Sequence, residues 1–249
     1  MMKLPTSKSG RGALEIATEA AREAGEILLA SFSGEKHIQV KGQGNLVTDT
    51  DIRSEKLIIG RLRSEYPGFG ITSEESESLP SETGFTWLID PMDGTNNFSF
   101  GIPFFSVCIA LVKEDEVLLG IIYDPLRREL FWAIEGEGSH LNDKPISSSP
   151  RTDFKTCLIG FDIGYEMGKG QEILEVARGL RPQVFSFRIL GSGALGLAYV
   201  SCGRLDMYMH RRLYPWDIAS GRLLVAEAGG VVTDWKGKPL GKDSQEIVA

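Results

Sequence analysis

The chain has 249 residues, 42% of them hydrophobic and 24% charged, with a formal net charge of −7. That length carries a sizeable core, in one unit or two packed subdomains, and the composition is that of an ordinary soluble globular protein. The acidic balance argues against broad nucleic-acid or anionic-membrane binding and suits a protein that collects cations.

Cys108, Cys157 and Cys202 are odd in number, far apart and free of any CxxC pattern. They read as buried, reduced thiols in a cytoplasmic protein rather than as zinc ligands. Residues 1–12 are polar, without the apolar region of a signal peptide, and the apolar runs 107–112 and 117–123 are too short to span a bilayer.

In chain order, Leu14, Ala17, Ala21, Ala24 and Leu28 recur at helical spacing, so residues 13–32 are predicted as an amphipathic helix ended by Gly34. Residues 35–50, with Gly42, Gly44 and Asn45, read as a mobile loop or hairpin. A second helix follows over about 50–66, with Ile52, Ile59 and Leu62 inward and Pro67-Gly68 as its stop. The period then shortens, predicting strands at 69–73, 85–89, 104–112, 117–123 and 129–134, with Phe98, Phe100, Phe104 and Phe105 in the core. Turns at Gly136-Glu137-Gly138 and Asn142-Asp143 close this half, and Ser147-Ser148-Ser149-Pro150 is the best boundary, dividing 1–149 from 150–249. The second half alternates: strand 156–161, helix 170–180, strand 184–190, helix 192–201, strand 205–209, helix 217–228, strand 230–233. The expectation is an α/β protein, α+β in its first half and layered α/β in its second.

Carboxylates stand at element ends in four places. Asp49 and Asp51 open the second helix, Glu74-Glu75 end a strand, Asp90 and Asp93 follow the apolar run 87–89, and Asp217 begins a helix. Singly, the helix-terminal acids fit capping roles. Several acids drawn from different elements to one point cannot all ionise without counter-ions. A cluster of that kind is a metal site or an acid pair with raised pKa, and with no His or Cys in its motifs the metal reading suits Mg²⁺ rather than zinc.

The motifs Asn45-Leu46-Val47-Thr48-Asp49-Thr50-Asp51, Thr72-Ser73-Glu74-Glu75-Ser76 and Trp87-Leu88-Ile89-Asp90-Pro91-Met92-Asp93-Gly94-Thr95-Asn96-Asn97-Phe98 occur in that order. Gly191-Ser192-Gly193-Ala194, Trp216-Asp217-Ile218-Ala219-Ser220-Gly221 and Glu227-Ala228-Gly229-Gly230 follow. With them the chain resembles, over essentially its whole length, the inositol monophosphatase family of Mg²⁺-dependent phosphomonoesterases, relatives of the fructose-1,6-bisphosphatases and nucleotide bisphosphate phosphatases. The resemblance implies a layered αβαβα sandwich, an active site between the halves, and a homodimer. It implies Glu74, Asp90 and the Met92 carbonyl as ligands of a first Mg²⁺, Asp90, Asp93 and Asp217 of a second, and Asp51 with Glu74 of a third, weaker ion. Gly94 and Thr95 would hold the phosphate through their N–H groups, the Thr95 hydroxyl would orient the attacking water, and Lys41 would belong to the mobile loop. Glu74, Thr95 and Asp51 are therefore the expected catalytic set. Phosphoryl transfer asks chiefly for positioning and charge neutralisation, which such a set supplies.

One departure bears on substrate. Seven residues before the helix aspartate, inositol-selective members carry a Glu; here stands His210, followed by Arg211 and Arg212. These are either a solvated turn or a cationic wall suited to a second phosphate. Asp162, Tyr165, Gly193 and Asp217 fall where the family contacts substrate, with Arg188 and Arg204 as weaker candidates. A small polyol phosphate, inositol 1-phosphate first, is the expected substrate. Fructose 1,6-bisphosphate is next, alone or as a second activity, ahead of a nucleotide bisphosphate or histidinol phosphate. A regulatory protein- or RNA-binding role with incidental catalysis is the alternative from another class, though nucleic acid is disfavoured by charge.

Overall fold

A computed structural model describes residues 4–34, 37–42, 45–241 and 244–249. The order is α1 (Ala13–Phe32), β1 (Ile38–Gly42), β2 (Asn45–Thr48), α2 (Asp49–Glu65), β3 (Gly70–Ser73), β4 (Phe85–Asp93), α3 (Thr95–Ser99), β5 (Ser106–Lys113), β6 (Glu116–Asp124) and β7 (Glu129–Ile134). There follow β8 (Gly138–Leu141), β9 (Lys144–Ile146), β10 (Leu158–Phe161), α4 (Met167–Leu180), β11 (Ser186–Ile189), α5 (Gly193–Ser201), β12 (Met207–His210), α6 (Pro215–Glu227) and β13 (Ile247–Val248).

β3 to β9 form one seven-stranded sheet in sequence order, and β11-β10-β12-β13 form a four-stranded sheet. Alternation along the strands decides which layer each face meets. Trp87, Ile89, Ile109 and Ile121 turn toward Ala17, Ala21, Leu28, Ile58 and Leu62 of α1 and α2. Cys108, Ala110, Ile122 and Phe131, on the other face, meet Ala194, Leu195, Ala198, Ala219 and Leu224 of α5 and α6. The far sides of those helices, through Leu197, Val200, Ile218 and Val225, cover Tyr208 and Ile247 of the small sheet. Ile159, Phe161 and Met209 on its outer face meet Ile173 and Ala177 of α4. The result is the αβαβα sandwich.

Several expectations are corrected. β4 does not stop at Ile89 but runs on through Asp93, because β5 continues to pair with it. The residues around Gly138 and Asn142, read as turns, include β8 and β9, which extend the β7 edge as a hairpin. Among the described residues 230–233 form no strand; Thr233 makes a single bridge to Val248, and β13 lies at the chain's end instead. Phe100 is 78% exposed, since α3 ends before it and the chain turns at Gly101 with φ of 72°; Phe104 is only half-buried. All three cysteines are free, and Cys202 is only half-buried. The inward face of α2 is Asp51, Ser54, Glu55, Ile58 and Leu62, with Ile52 and Ile59 at its margins. The glycine-rich segment is a hairpin of β1 and β2, with residues 43–44 outside the described residues.

Candidate active site

In a regular strand, residues three apart face opposite sides, so Asp90 and Asp93 could not both serve one site. β4 avoids this with a bulge. Asp90 stands opposite Cys108 and Asp93 opposite Ser106, three steps on one strand against two on the other. The extra residue restores parity and turns both carboxylates to the same face. Pro91, which has no N–H to lose, sits inside the bulge. Met92 N–H donates to Asp90 Oδ1 (2.9 Å), and Ser54 Oγ of α2 donates to the Pro91 carbonyl (2.9 Å), holding the irregular backbone in place.

Gly94 follows with φ of 94°, and a Cβ there would lie 3.0 Å from the Phe104 carbonyl oxygen. The position therefore requires glycine. The turn lets α3 start at Thr95. Thr95 Oγ1 is within donating reach of Asp51 Oδ1 (3.1 Å) and the Met92 carbonyl (3.0 Å). Asp51 is buried, and its Oδ2 accepts from Thr48 N–H (2.8 Å) in the capping box of α2. It is thus a cap and a Thr95 partner at once, lying beneath the cavity rather than lining it.

Glu74, at the end of β3, and Asp217, in the first turn of α6, complete the group. Asp217 Oδ2 accepts from Tyr214 N–H (2.7 Å). Glu74, Asp90, Asp93 and Asp217 line one cavity of about 470 Å³ together with Met92, Gly94 and Thr95. Lys41 pairs with Glu75 beside this group.

Burial pushes the Glu74 carboxyl up to about 7; Glu75, Asp51 and Asp93 add to the shift and Lys41 opposes it. Asp90 is held well above the carboxylate range by burial and by the charges of Glu74, Asp93 and Asp217. Asp217 is raised by burial and Glu74, with the Tyr214 N–H in opposition. Asp93 is raised by burial even though Ser192, Ala194, Gly193 and Ser106 all donate to it. Among the described residues no three His, Cys, Asp or Glu side chains converge into a ready-made cage for an ion. The donor set nonetheless fits a hard divalent cation. It is all oxygen, its members repel one another, and one lysine offers relief.

The cavity wall revises several substrate contacts. Asp162 lines it, but Oδ1 accepts from Leu190 N–H (2.9 Å) and Gly191 N–H (2.6 Å) and Oδ2 from Tyr208 (2.7 Å), so the carboxylate is engaged in holding a turn. Gly193 N–H is directed at Asp93 Oδ1 (3.2 Å), which together with Ala194 N–H and Ser192 Oγ makes Asp93 a cap for α5 across the sheet–helix interface. Tyr165 and His210 both line the cavity, while Arg211 does not. Arg211 pairs with Glu172 (3.0 Å) and Glu246 (3.0 Å) over the Trp235 ring. Arg188 bonds within its own strand, and Arg204 is bound to Glu129; neither reaches the cavity.

Three contributors were missed. Glu55, a buried acid on the inward face of α2, accepts from Ser73 Oγ and from Glu75 N–H (3.0 Å), fixing the segment that carries Glu74. Asn97 Nδ2 donates to the carbonyls of Phe104 (2.8 Å) and Leu190 (2.8 Å), pinning the 190–192 turn to α3. Glu166 lines the cavity beside Arg212. A polar residue recurring at helical spacing with the apolar ones was the available signal for Glu55.

Comparison with known proteins follows the same lines. The model of the "Inositol monophosphatase family" matches residues 11–249. Inositol monophosphatase 3 of Solanum lycopersicum is 36% identical over 245 residues, 95% of this chain and 91% of that protein. A Nus factor SuhB of Xylella fastidiosa is 39% identical over 228 residues, 90% of this chain and 82% of that one. The solved structure of extragenic suppressor protein suhB from Bartonella henselae superposes with a TM-score of 0.90 at 35% identity, covering 95% of this chain and 93% of that one. With that match running from residue 11 to the end, the chain belongs to the inositol monophosphatase family and is a phosphomonoesterase.

Proposed function

We propose that the chain hydrolyses a small polyol phosphate, inositol 1-phosphate first among them, with Mg²⁺. The observation that carries this reading is the β4 bulge, which presents Asp90 and Asp93 on one face of a cavity that Glu74, Asp217 and the Gly94-Thr95 turn also line. Glu74, Asp90 and the Met92 carbonyl would hold one ion and Asp90, Asp93 and Asp217 another; Asp51, expected beside Glu74 at a third, lies beneath the cavity with Thr48 and Thr95 on its oxygens and is assigned to proton transfer instead. When bound, Mg²⁺ neutralises phosphate charge and makes water a better nucleophile.

The chain's own groups do the rest. The left-handed Gly94 brings backbone N–H groups against the phosphate. Thr95 Oγ1, anchored on Asp51 and Met92, presents lone pairs that align the attacking water. Asp51, raised to about 6 chiefly by burial, changes charge close to neutral pH and is suited to receive a proton through Thr95. The reading includes a homodimer, which sedimentation would check, and a cytoplasmic setting, supported by three free thiols. Among the described residues no helix is long and apolar enough to cross a membrane.

The test is phosphate release, with Mg²⁺, from inositol 1-phosphate, fructose 1,6-bisphosphate and adenosine 3′,5′-bisphosphate. Asp93→Asn should cut turnover by ~100-fold or more while preserving a cooperative melt. Full activity in that variant defeats the assignment. A bisphosphate is the second reading, favoured by Arg212 in the cavity wall. The regulatory alternative draws on the relative named as a Nus factor. It would prevail if Asp93→Asn abolished catalysis yet preserved a cellular function.

A further inference from the structure

What the cavity reads beyond the phosphate is set by three neighbouring side chains, and the inference drawn from them rests on the phosphomonoesterase reading. Arg212 is the sole Lys or Arg among the described lining residues. It already faces a carboxylate. Its Nε lies 3.3 Å from Glu166 Oε1, a charge contact rather than a directed hydrogen bond, and its guanidinium carbon is 5.8 Å from the centroid of the Tyr214 ring. Glu166 lines the cavity too. A second phosphate approaching Arg212 would meet the Glu166 charge and would have to break this pair. Arg211, already paired with Glu172 and Glu246, offers no substitute.

His210 stands on the same wall. Its ring is buried, and Nδ1 accepts from Arg212 N–H (3.0 Å), which places the ring proton on Nε2. Burial pushes its pKa down to about 4, so the ring is neutral at physiological pH. Besides the Tyr165 and Tyr214 hydroxyls, the wall thus offers a charged acceptor, the Glu166 carboxylate, and a neutral donor, His210 Nε2–H. A hydroxyl both donates and accepts, so neighbouring hydroxyls of a polyol satisfy both groups together. A phosphate can satisfy only the donor and is repelled by the acceptor.

We propose that Glu166, oriented by Arg212, and His210 form a hydroxyl-reading subsite that selects neutral polyol monophosphates and disfavours a second phosphate.

The experiment compares KM and kcat for inositol 1-phosphate, for phenyl phosphate, which has no hydroxyls to read, and for fructose 1,6-bisphosphate. Glu166→Ala and His210→Leu should each raise the KM ratio of inositol 1-phosphate to phenyl phosphate about tenfold, the worth of one hydrogen bond to a charged or buried group. Glu166→Gln, which releases Arg212, should lower KM for fructose 1,6-bisphosphate relative to wild type, and adding Arg212→Ala should reverse that gain. An unchanged ratio in Glu166→Ala, with the protein folded, overturns the subsite. So does a wild-type preference for the bisphosphate that Arg212→Ala removes. A wild-type protein inert even toward phenyl phosphate would overturn the reading beneath the subsite, and the subsite with it.

Discussion

Burial of a neutral His210 ring ties folding stability to pH. The folded pKa, about 4, lies below the ordinary 6.5, so between those values the unfolded chain takes up a proton that the folded chain refuses. The stability this ring permits is complete above about pH 6.5 and is lost as pH falls toward 4, by at most about 3 kcal/mol. Asp162, raised by burial to about 6, works in the opposite sense over part of that window, so the informative quantity is the difference between proteins. Urea denaturation at pH 7.5 and 4.5 should show a smaller loss in His210→Gln than in wild type; equal losses would mean the ring charges freely. At this scale the sequence was legible only where a motif constrained it. Asp90, Asp93 and Asp217 stand in runs whose order points to a site. Asp162 and Gly193 line the cavity, but their hydrogen bonds with Leu190 N–H, Gly191 N–H and Asp93 arise only through tertiary contact, which no local pattern announces.

Elements show the same division. Helical periodicity located α1, α2, α5 and α6 closely, and alternation located β5, β6 and β7. The bulge in β4 was hidden, since Pro91 and Gly94 are equally good signs of a strand's end; only pairing with β5 reveals that the ladder continues. β8 and β9 were hidden because their polar residues suit turns and form strands only by lying against β7. How α6 brings Asp217 to the site is also a matter of packing. Gly120 in β6 faces the helix, and a Cβ there would come within 2.8 Å of Ser220 Cα, while Ser220 Oγ donates to the Ile109 carbonyl (3.0 Å). Gly120→Val should therefore force α6 from the sheet, destabilising by about 2–3 kcal/mol. Because Asp217 moves with the helix, the Mg²⁺ needed for half-maximal activity should rise as well. A thermal melt with a Mg²⁺ titration tests both; a lowered melt with an unchanged titration would show that the helix end is held by other contacts. Gly60→Ala is the opposite case. It lies exposed in α2 with nothing within 4 Å of a Cβ, and should stabilise by about 0.5–1 kcal/mol through helix propensity alone.

For the whole molecule, the strand–helix alternation made the layers legible, while only the resemblance, and not the periodicity, joined Asp217 from α6 to acids from β3 and β4 across a shared cavity. That convergence carries an energetic consequence. Folding brings Glu74, Asp90, Asp93 and Asp217 together, and each is pushed toward its protonated form by burial or by the others. Without a cation their mutual repulsion opposes closure of the cavity; with one it becomes attraction between segments far apart in the chain. Mg²⁺ bound only by the folded state should stabilise by about 2.7 kcal/mol at 100 times its dissociation constant. For a chain of this size that corresponds to a rise in melting temperature of roughly 5–10 °C. EDTA should reverse the rise. Asp217→Asn separates the two halves of the effect, because the amide keeps the shape of the side chain and removes its charge. In EDTA the variant should melt at or above the wild type, since one repelled carboxylate is gone. In Mg²⁺ it should gain less than wild type, since a ligand contributed by α6 is gone. If both proteins gained equally from Mg²⁺, the ion would be held without α6, and the cavity would need a different account of why Asp217 faces it.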